Sequence, residues 1–182
     1  KRDNIGAFTL GYTPTSVLEL SNVAATIMSS GTYCPPTPIE EIIDRHGNRV
    51  QIDEKPCEQA VAPHVADALA HGMSKDHTMG TSKQAASDAG WKRPMIGKTG
   101  TTQDHQSAGF VGATPQMAGA VLTYSDSSHP EGICDSGGDA PPYLCGVGGG
   151  NIYGGKVPAR TWYDAMTKIH EGLPVRPVPG GW

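Results

Sequence analysis

The chain has 182 residues, 37% of them hydrophobic, with 24 Gly and 15 Pro. That is enough to bury one core of ordinary domain size in a loop-rich chain. Lys and Arg number 14 against 18 Asp and Glu, a net charge of −4 with no basic run, which excludes a nucleic-acid footprint and a polybasic membrane patch. Apolar runs are only a few residues long, so none spans a bilayer or reads as a signal peptide. A segment that exports or anchors the protein is expected to lie outside this chain.

In chain order, "PTSVLELSNVAATIMSSG" (14–31) places Val17, Leu20, Val23, Ala24, Ile27 and Met28 at amphipathic-helix spacing. Ser16 with Glu19 forms a capping-box pattern, and Gly31 is a natural stop. "TPIEEIIDRHGNRVQI" (37–52) reads as two short strands around an Arg45-His46-Gly47-Asn48 turn. "PHVADALAHGM" (63–73) reads as a helix opened by Pro63 and ended at Gly72. Residues 74–94 read as polar and irregular. Segments 94–102, "SAGFVGAT" (107–114) and "QMAGAVLTYS" (116–125) stand at hairpin spacing, which predicts a three-stranded antiparallel sheet turning at Thr114-Pro115.

Residues 126–157 read as a long Gly/Pro/Ser/Asp loop. "PARTWYDAMTKIHEG" (158–172) predicts a helix with Ala159, Trp162, Tyr163, Met166 and Ile169 on one face. The Pro-rich end (173–182) reads as an extended tail after a single domain over 1–172. Helices before and after an antiparallel sheet predict an α+β sandwich of segregated elements rather than a doubly wound fold.

The cysteines are Cys34, Cys57, Cys134 and Cys145; none forms a C-x-x-C pair, and His64 and His71 stand in no zinc-ligand spacing with them. An even number of cysteines in Gly/Pro/Asp-rich loops fits an oxidising compartment. Cys134 and Cys145 bracket a loop with little core of its own and are expected to form a disulfide. That leaves Cys34 with Cys57, provided the intervening hairpin does not hold them apart.

The chemistry concentrates in "MIGKTGTT" (95–102). A phosphate-binding loop needs a glycine five residues before the Gly-Lys pair, where this chain has Lys92, and it must open a helix, whereas a strand-like segment follows. Two readings stay open on these letters. One is a flexible hairpin end. The other is the K-T-G element of penicillin-recognising serine enzymes, a strand that offers its edge to an extended substrate. In that reading Lys98 supplies positive potential near the nucleophile and the substrate carboxylate. The hydroxyls of Thr99 and Thr101 bind that carboxylate, Gly100 leaves the approach open, and the Thr101 amide is a candidate oxyanion donor.

The flanking segments separate the two readings. The chain resembles, over nearly its full length, the C-terminal half of the transpeptidase domain of class A (bifunctional) penicillin-binding proteins. The resemblance rests on "LGYTPTSVLELSNVAATIMSSGTYCPPTPIEEIIDRHGNRV" (10–50), "MIGKTGTT", "FVGATPQMAGAVLTYSD" and "GGKVPARTWYDAMTKI" in that order. It implies the penicillin-binding, β-lactamase-like fold in its second half, and catalytic roles for Lys98 and Thr101. Substrate-binding roles would fall to Lys98, Thr99, Gly100 and Thr101, with Thr102 a lesser neighbour.

The implied activity is D,D-transpeptidation of peptidoglycan stem peptides ending in D-Ala-D-Ala through a serine acyl-enzyme, without metal or cofactor. The implied setting is the outer face of a bacterial membrane, with β-lactams as inhibitors and a glycosyltransferase domain and anchor upstream. A D,D-carboxypeptidase or β-lactamase-like hydrolase and a noncatalytic muropeptide-binding module are the alternatives. Where the family has Asp-Ala-Trp-Phe, this chain has Ser107-Ala108-Gly109-Phe110. No serine is followed by Lys at +3 or Asn at +2, so the nucleophile motif S-x-x-K and the S-x-N motif are expected upstream. They would be supplied by a second polypeptide or segment that covers an apolar face of the sheet.

Overall fold

The computed structural model describes residues 11, 14–129, 131–134, 142–145 and 150–181. Much of the 126–157 loop and Trp182 at the tail's end lie outside the described residues. Helix α1 spans Val17–Met28 and starts where the capping pattern places it. Ser16 Oγ accepts the Glu19 amide at 3.2 Å and Glu19 Oε2 accepts the Ser16 amide at 2.7 Å, which satisfies two orphan donors of the first turn.

Two small ribbons follow. Strand β1 (Thr32–Tyr33) pairs with β4 (Glu58–Gln59), and β2 (Ile42–Ile43) pairs with β3 (Arg49–Val50), both antiparallel. Cys34 and Cys57 flank the first ribbon with Cα atoms 4.2 Å apart and are disulfide-bonded; the β2–β3 hairpin between them does not hold them apart. In its turn, backbone N–H groups of Asn48 and His46 hold the Asp44 carboxyl below its ordinary pKa.

Helix α2 spans Pro63–Met73. Residues 74–94 are not irregular throughout. They hold two short helices, α3 (Asp76–Met79) and α4 (Lys83–Asp88). The apolar side of α4 consists of Ala85 and Ala86, both buried, and two alanines give no readable hydrophobic period.

Strands β5 (Ile96–Thr101), β6 (Ser107–Ala113) and β7 (Ala118–Tyr124) form one antiparallel sheet in the order β5-β6-β7. The register pairs Lys98 with Val111, Thr99 with Phe110, and Phe110 with Val121. The 126–157 loop holds one short helix among the described residues, α5 (Pro142–Cys145). Alternation along the three strands feeds two cores. On one face Met95 and Phe110 meet Trp91 and the helix α6 (Val157–Ile169) residues Ala159, Trp162, Tyr163 and Met166. On the other Ile96 and Ala113 meet Ala24 and Met28 of α1, Ala70 of α2, and Val178.

Trp162 organises the first core. Its ring packs edge-on against Trp91, Phe110 and Tyr163, and its Nε1 donates to the Gly119 carbonyl at 3.0 Å. The ring lies so close to the sheet that a Cβ at Gly112 would stand 2.8 Å from it.

Three expectations are corrected here. The sheet has no bare apolar face, because α1 and α2 of this chain cover the side opposite α6. The unburied apolar surface lies one layer out, where Leu18, Val23 and Leu69 are exposed. These residues line a groove of about 490 Å³ with Ile27, Tyr33 and Val61. Val17 and Val23 therefore do not belong to the buried stripe of α1, nor Ile169 to that of α6, where it is 48% exposed and His170 takes the buried place.

Residues 173–181 are not a free tail either. Val178 is buried in the second core. The Arg93 guanidinium donates to the carbonyls of His170 (3.0 Å), Pro174 (3.1 Å) and Leu173, tying the end of α6 to the segment after it.

Tyr163 donates or accepts one hydrogen bond with Ser82 Oγ at 2.9 Å, and burial pushes its pKa up to about 12. A phenol whose pKa is raised on folding stabilises the fold below its unfolded pKa of roughly 10 and loses that contribution as pH rises toward the folded value. The complete domain is expected to lose stability between pH ~10 and ~12, and Tyr163→Phe to flatten that part of the curve. Denaturant midpoints measured across this range check it; identical slopes in the two proteins would contradict it.

Candidate functional site

Strand β5 changes character halfway along. Met95, Ile96 and Gly97 are buried, whereas Lys98, Gly100 and Thr101 are exposed and Thr99 is half-buried. The buried half is clamped between the two cores, and the exposed half runs out beyond them. β5 pairs only with β6 among the described residues. The Thr102 amide donates to the Ser107 carbonyl at 2.9 Å. By the two-residue period of an antiparallel ladder, Gly100 and Lys98 then bond toward β6, while the amides and carbonyls of Thr99 and Thr101 point to the open edge. The Lys98 ammonium reaches round that edge and donates to the Thr99 carbonyl at 2.7 Å.

Two segments brace the exposed half. The first is the α3–α4 connection: Thr81 Oγ1 lies 2.7 Å from Thr99 Oγ1, and Asp76 Oδ1 accepts the Thr81 amide at 3.0 Å. Beside it, burial lowers the pKa of His77 against the opposing pull of the Asp76 carboxylate. The second is the stretch before α6. The Gly154 amide donates to Thr101 Oγ1 at 3.2 Å, and a Cβ at Gly154 would stand 2.3 Å from the Gly109 carbonyl oxygen and 2.5 Å from that of Gly100. Only glycine lets this backbone lie on the strands.

The loop between β7 and α6 is fastened to the same strand end. Cys134 and Cys145 are disulfide-bonded, and the neighbouring Ile133 amide donates to the His105 carbonyl at 3.1 Å. Asp104 and His105 adopt left-handed φ values of 54° and 55°, turning the chain tightly enough for the His105 ring to stand edge-on to Tyr153 at 5.0 Å.

Depressions open on both sides of Lys98 and Thr99. One, of about 450 Å³, is lined by Asp76, Gly80, Thr81 and Gly97; the other, of about 380 Å³, by Thr101, Gly109, Val111 and Leu122. Gly109, with no side chain to fill it, lines the second. Thus Lys98, Thr99, Gly100 and Thr101 share one accessible strand edge. Thr102 stands apart: its hydroxyl donates to the Ser107 carbonyl at 3.1 Å and accepts the Ser107 amide at 2.8 Å, closing the turn into β6.

Asp76, Thr81 and Gly154 have no counterpart among the residues read from the sequence. They lie far from the K-T-G letters along the chain, and no spacing links them. The Gly154-Gly155 pair before α6 was the available signal.

The family described as the penicillin binding protein transpeptidase domain matches residues 2–131, more than half of the chain. Penicillin-binding protein 1A of Mycolicibacterium smegmatis is 27% identical over 183 residues, covering 93% of this chain and 20% of that protein. Penicillin-binding protein 4 of Bacillus subtilis is 33% identical over 124 residues, 68% of this chain and 19% of that protein. The chain thus spans about a fifth of the length of the curated relatives it matches. In fold it is similar to the penicillin-binding protein PonA1 from Mycobacterium tuberculosis, with a TM-score of 0.72 at 22% identity over 97% of this chain and 45% of that one. The chain belongs to the penicillin-binding protein transpeptidase family.

Proposed function

We propose that this chain forms one wall of the active site of a peptidoglycan D,D-transpeptidase, with the nucleophilic serine supplied by an upstream part of the same domain. The observation that carries this reading is the outer edge of β5, which no strand pairs among the described residues and where the outward backbone of Thr99 and Thr101 stands beside Lys98 at the mouth of two depressions. An extended stem peptide docks there as an added strand.

The serine attacks the carbonyl between the two terminal D-Ala residues and the last D-Ala leaves. The amine of a neighbouring stem then attacks the ester and frees the serine. Lys98 supplies positive charge for the substrate carboxylate and for the serine during its deprotonation. The outward Thr101 amide is one oxyanion donor. Gly100 keeps the edge unobstructed, and the threonine hydroxyls hold the carboxylate end. Thr102 serves by shaping the turn rather than by touching substrate.

β-Lactams would acylate the same serine, and no metal or cofactor enters any step. Two disulfides support an oxidising, extracytoplasmic setting. No helix among the described residues is long and apolar enough to cross a membrane, and the anchor and glycosyltransferase domain that accompany class A relatives would lie upstream. The exposed apolar groove on α1 and α2 suits the helical half of the domain, which completes the site.

Two variants of the complete domain test the reading. Lys98→Ala is expected to slow acylation by penicillin by ~10²-fold or more, the scale of one lost preorganised electrostatic group; stopped-flow acylation kinetics equal to wild type would refute the assignment. Gly154→Ala must push the backbone before α6 off Gly100 and Gly109, so the Thr101 hydroxyl loses its amide donor. Acylation is expected to fall roughly three- to tenfold, the worth of a displaced hydrogen bond. An unchanged rate would show that this crossing segment does not position the strand edge.

A further inference from the structure

Resolving the acyl-enzyme is acylation run backward with a different amine. The acceptor nitrogen bonds to the acyl carbon, the ester C–O bond breaks, and an amine proton returns to the serine oxygen. The incoming nitrogen therefore retraces the path by which the nitrogen of the last D-Ala left. On the edge of β5 that path has a direction. With the oxyanion at the Thr101 amide and the terminal carboxylate toward Lys98, the donor runs antiparallel to β5. Its leaving residue lies on the Lys98 side, one strand step of roughly 3.4 Å further on.

The depression of about 450 Å³ opens at that end. Its lining takes Gly97, Lys98 and Thr99 from β5, whereas that of the second depression continues to Thr102. Its volume is that of a small-ligand site and far exceeds what a single D-Ala requires.

The wall facing β5 is the single turn of α3. The Lys75 carbonyl accepts the amides of Thr78 at 3.1 Å and Met79 at 2.9 Å. Lys75 and Met79 thus stand four residues apart on one side of the turn, and both line the depression. Met79 is 72% exposed, an unbranched, adaptable thioether side chain open at the rim of the cleft. Lys75 and Lys98 are both exposed, and neither has an ion-pair partner among the described residues. The Asp76 carboxylate beside them is turned to Thr81, whose amide and hydroxyl donate to its Oδ1 at 3.0 and 3.2 Å. Just past the leaving-group end, then, two cations and an apolar side chain face open space.

We propose that this depression is the acceptor subsite. It takes a neighbouring stem peptide whose amine arrives on an aliphatic arm laid along Met79, and whose free carboxylate pairs with Lys75. Lys98 and the threonines hold the donor; Lys75 and Met79 select the amine that replaces D-Ala. The inference rests on the reading of the Lys98–Thr101 edge as the donor edge.

The test gives the complete domain a D-Ala-D-Ala pentapeptide donor and two competing acceptors. These are a stem tripeptide ending in a diamino acid and the same tripeptide with its carboxylates amidated. Mass spectrometry of the two cross-linked products gives their ratio, which does not depend on the fraction of enzyme that is folded. Lys75→Ala is expected to lower the free-to-amidated ratio roughly fivefold, the upper range for a solvent-exposed ion pair. Lys75→Glu is expected to lower it further, and Lys75→Arg to keep it within about twofold of wild type. Met79→Ser is expected to lower both stem products roughly fourfold relative to exchange with isotope-labelled D-Ala, the worth of about one methylene of apolar contact.

An unmoved ratio in Lys75→Ala overturns the proposal. So does a Lys75→Arg ratio that falls as far as that of Lys75→Ala, since charge would then not be what is read. The parent assignment is tested apart from this: normal acylation by Lys98→Ala removes the donor edge itself. Crippled Lys98→Ala with an unmoved ratio in Lys75→Ala removes only the acceptor subsite.

Discussion

The cleft depends on one strand being held at one end and free at the other. Met95 and Ile96 point into opposite cores, one built on α6 and one on α1 and α2. Two residues further on, Lys98 is exposed. A strand clamped in this way loses its freedom in the buried half, so the exposed half can present an edge that no strand pairs among the described residues without fraying. Unpaired strand edges ordinarily invite association. Here the edge is short, carries a lysine, and is overhung by the α3–α4 connection and the Gly154 crossing, which restrict what can reach it.

The same arrangement explains the use of small residues around Trp162. A large ring lying close against Gly112 and Gly119 brings α6 close to the sheet, and the helix in turn fixes where the segment before it crosses β5. Gly154 then lies directly on the Gly100 and Gly109 backbone and hands its amide to Thr101. Packing in the core thereby sets a hydrogen bond at the cleft. The Cys134–Cys145 bond acts from the other direction, holding the β7–α6 loop where Ile133 meets His105.

Much of this was legible in the residues. The capping box at Ser16 and Glu19, the three-stranded meander and α6 stood out because caps, hairpin spacing and a bulky apolar face leave strong local signals. The K-T-G edge was legible because its letters sit in a strand rather than before a helix. The helices α3 and α4 were not, since alanines and one-turn lengths give no period. Nor was the second cover of the sheet: the sequence shows that α1 is amphipathic, but which neighbour it faces is settled by chain-distant packing against Ile96 and Ala113. The bracing of Thr99 by Thr81 and of Thr101 by Gly154 joins positions 18 and 53 residues apart. Such pairs exist only once the fold has brought them together.

The central claim is that these residues form a wall of an acyl-enzyme site whose serine lies elsewhere. Peptide mapping by mass spectrometry of the complete protein after reaction with a penicillin tests it most directly. The expected result is a single covalent adduct on a serine outside residues 1–182, in an S-x-x-K context. An adduct on any serine within 1–182, or none at all under conditions that acylate related proteins, would contradict it.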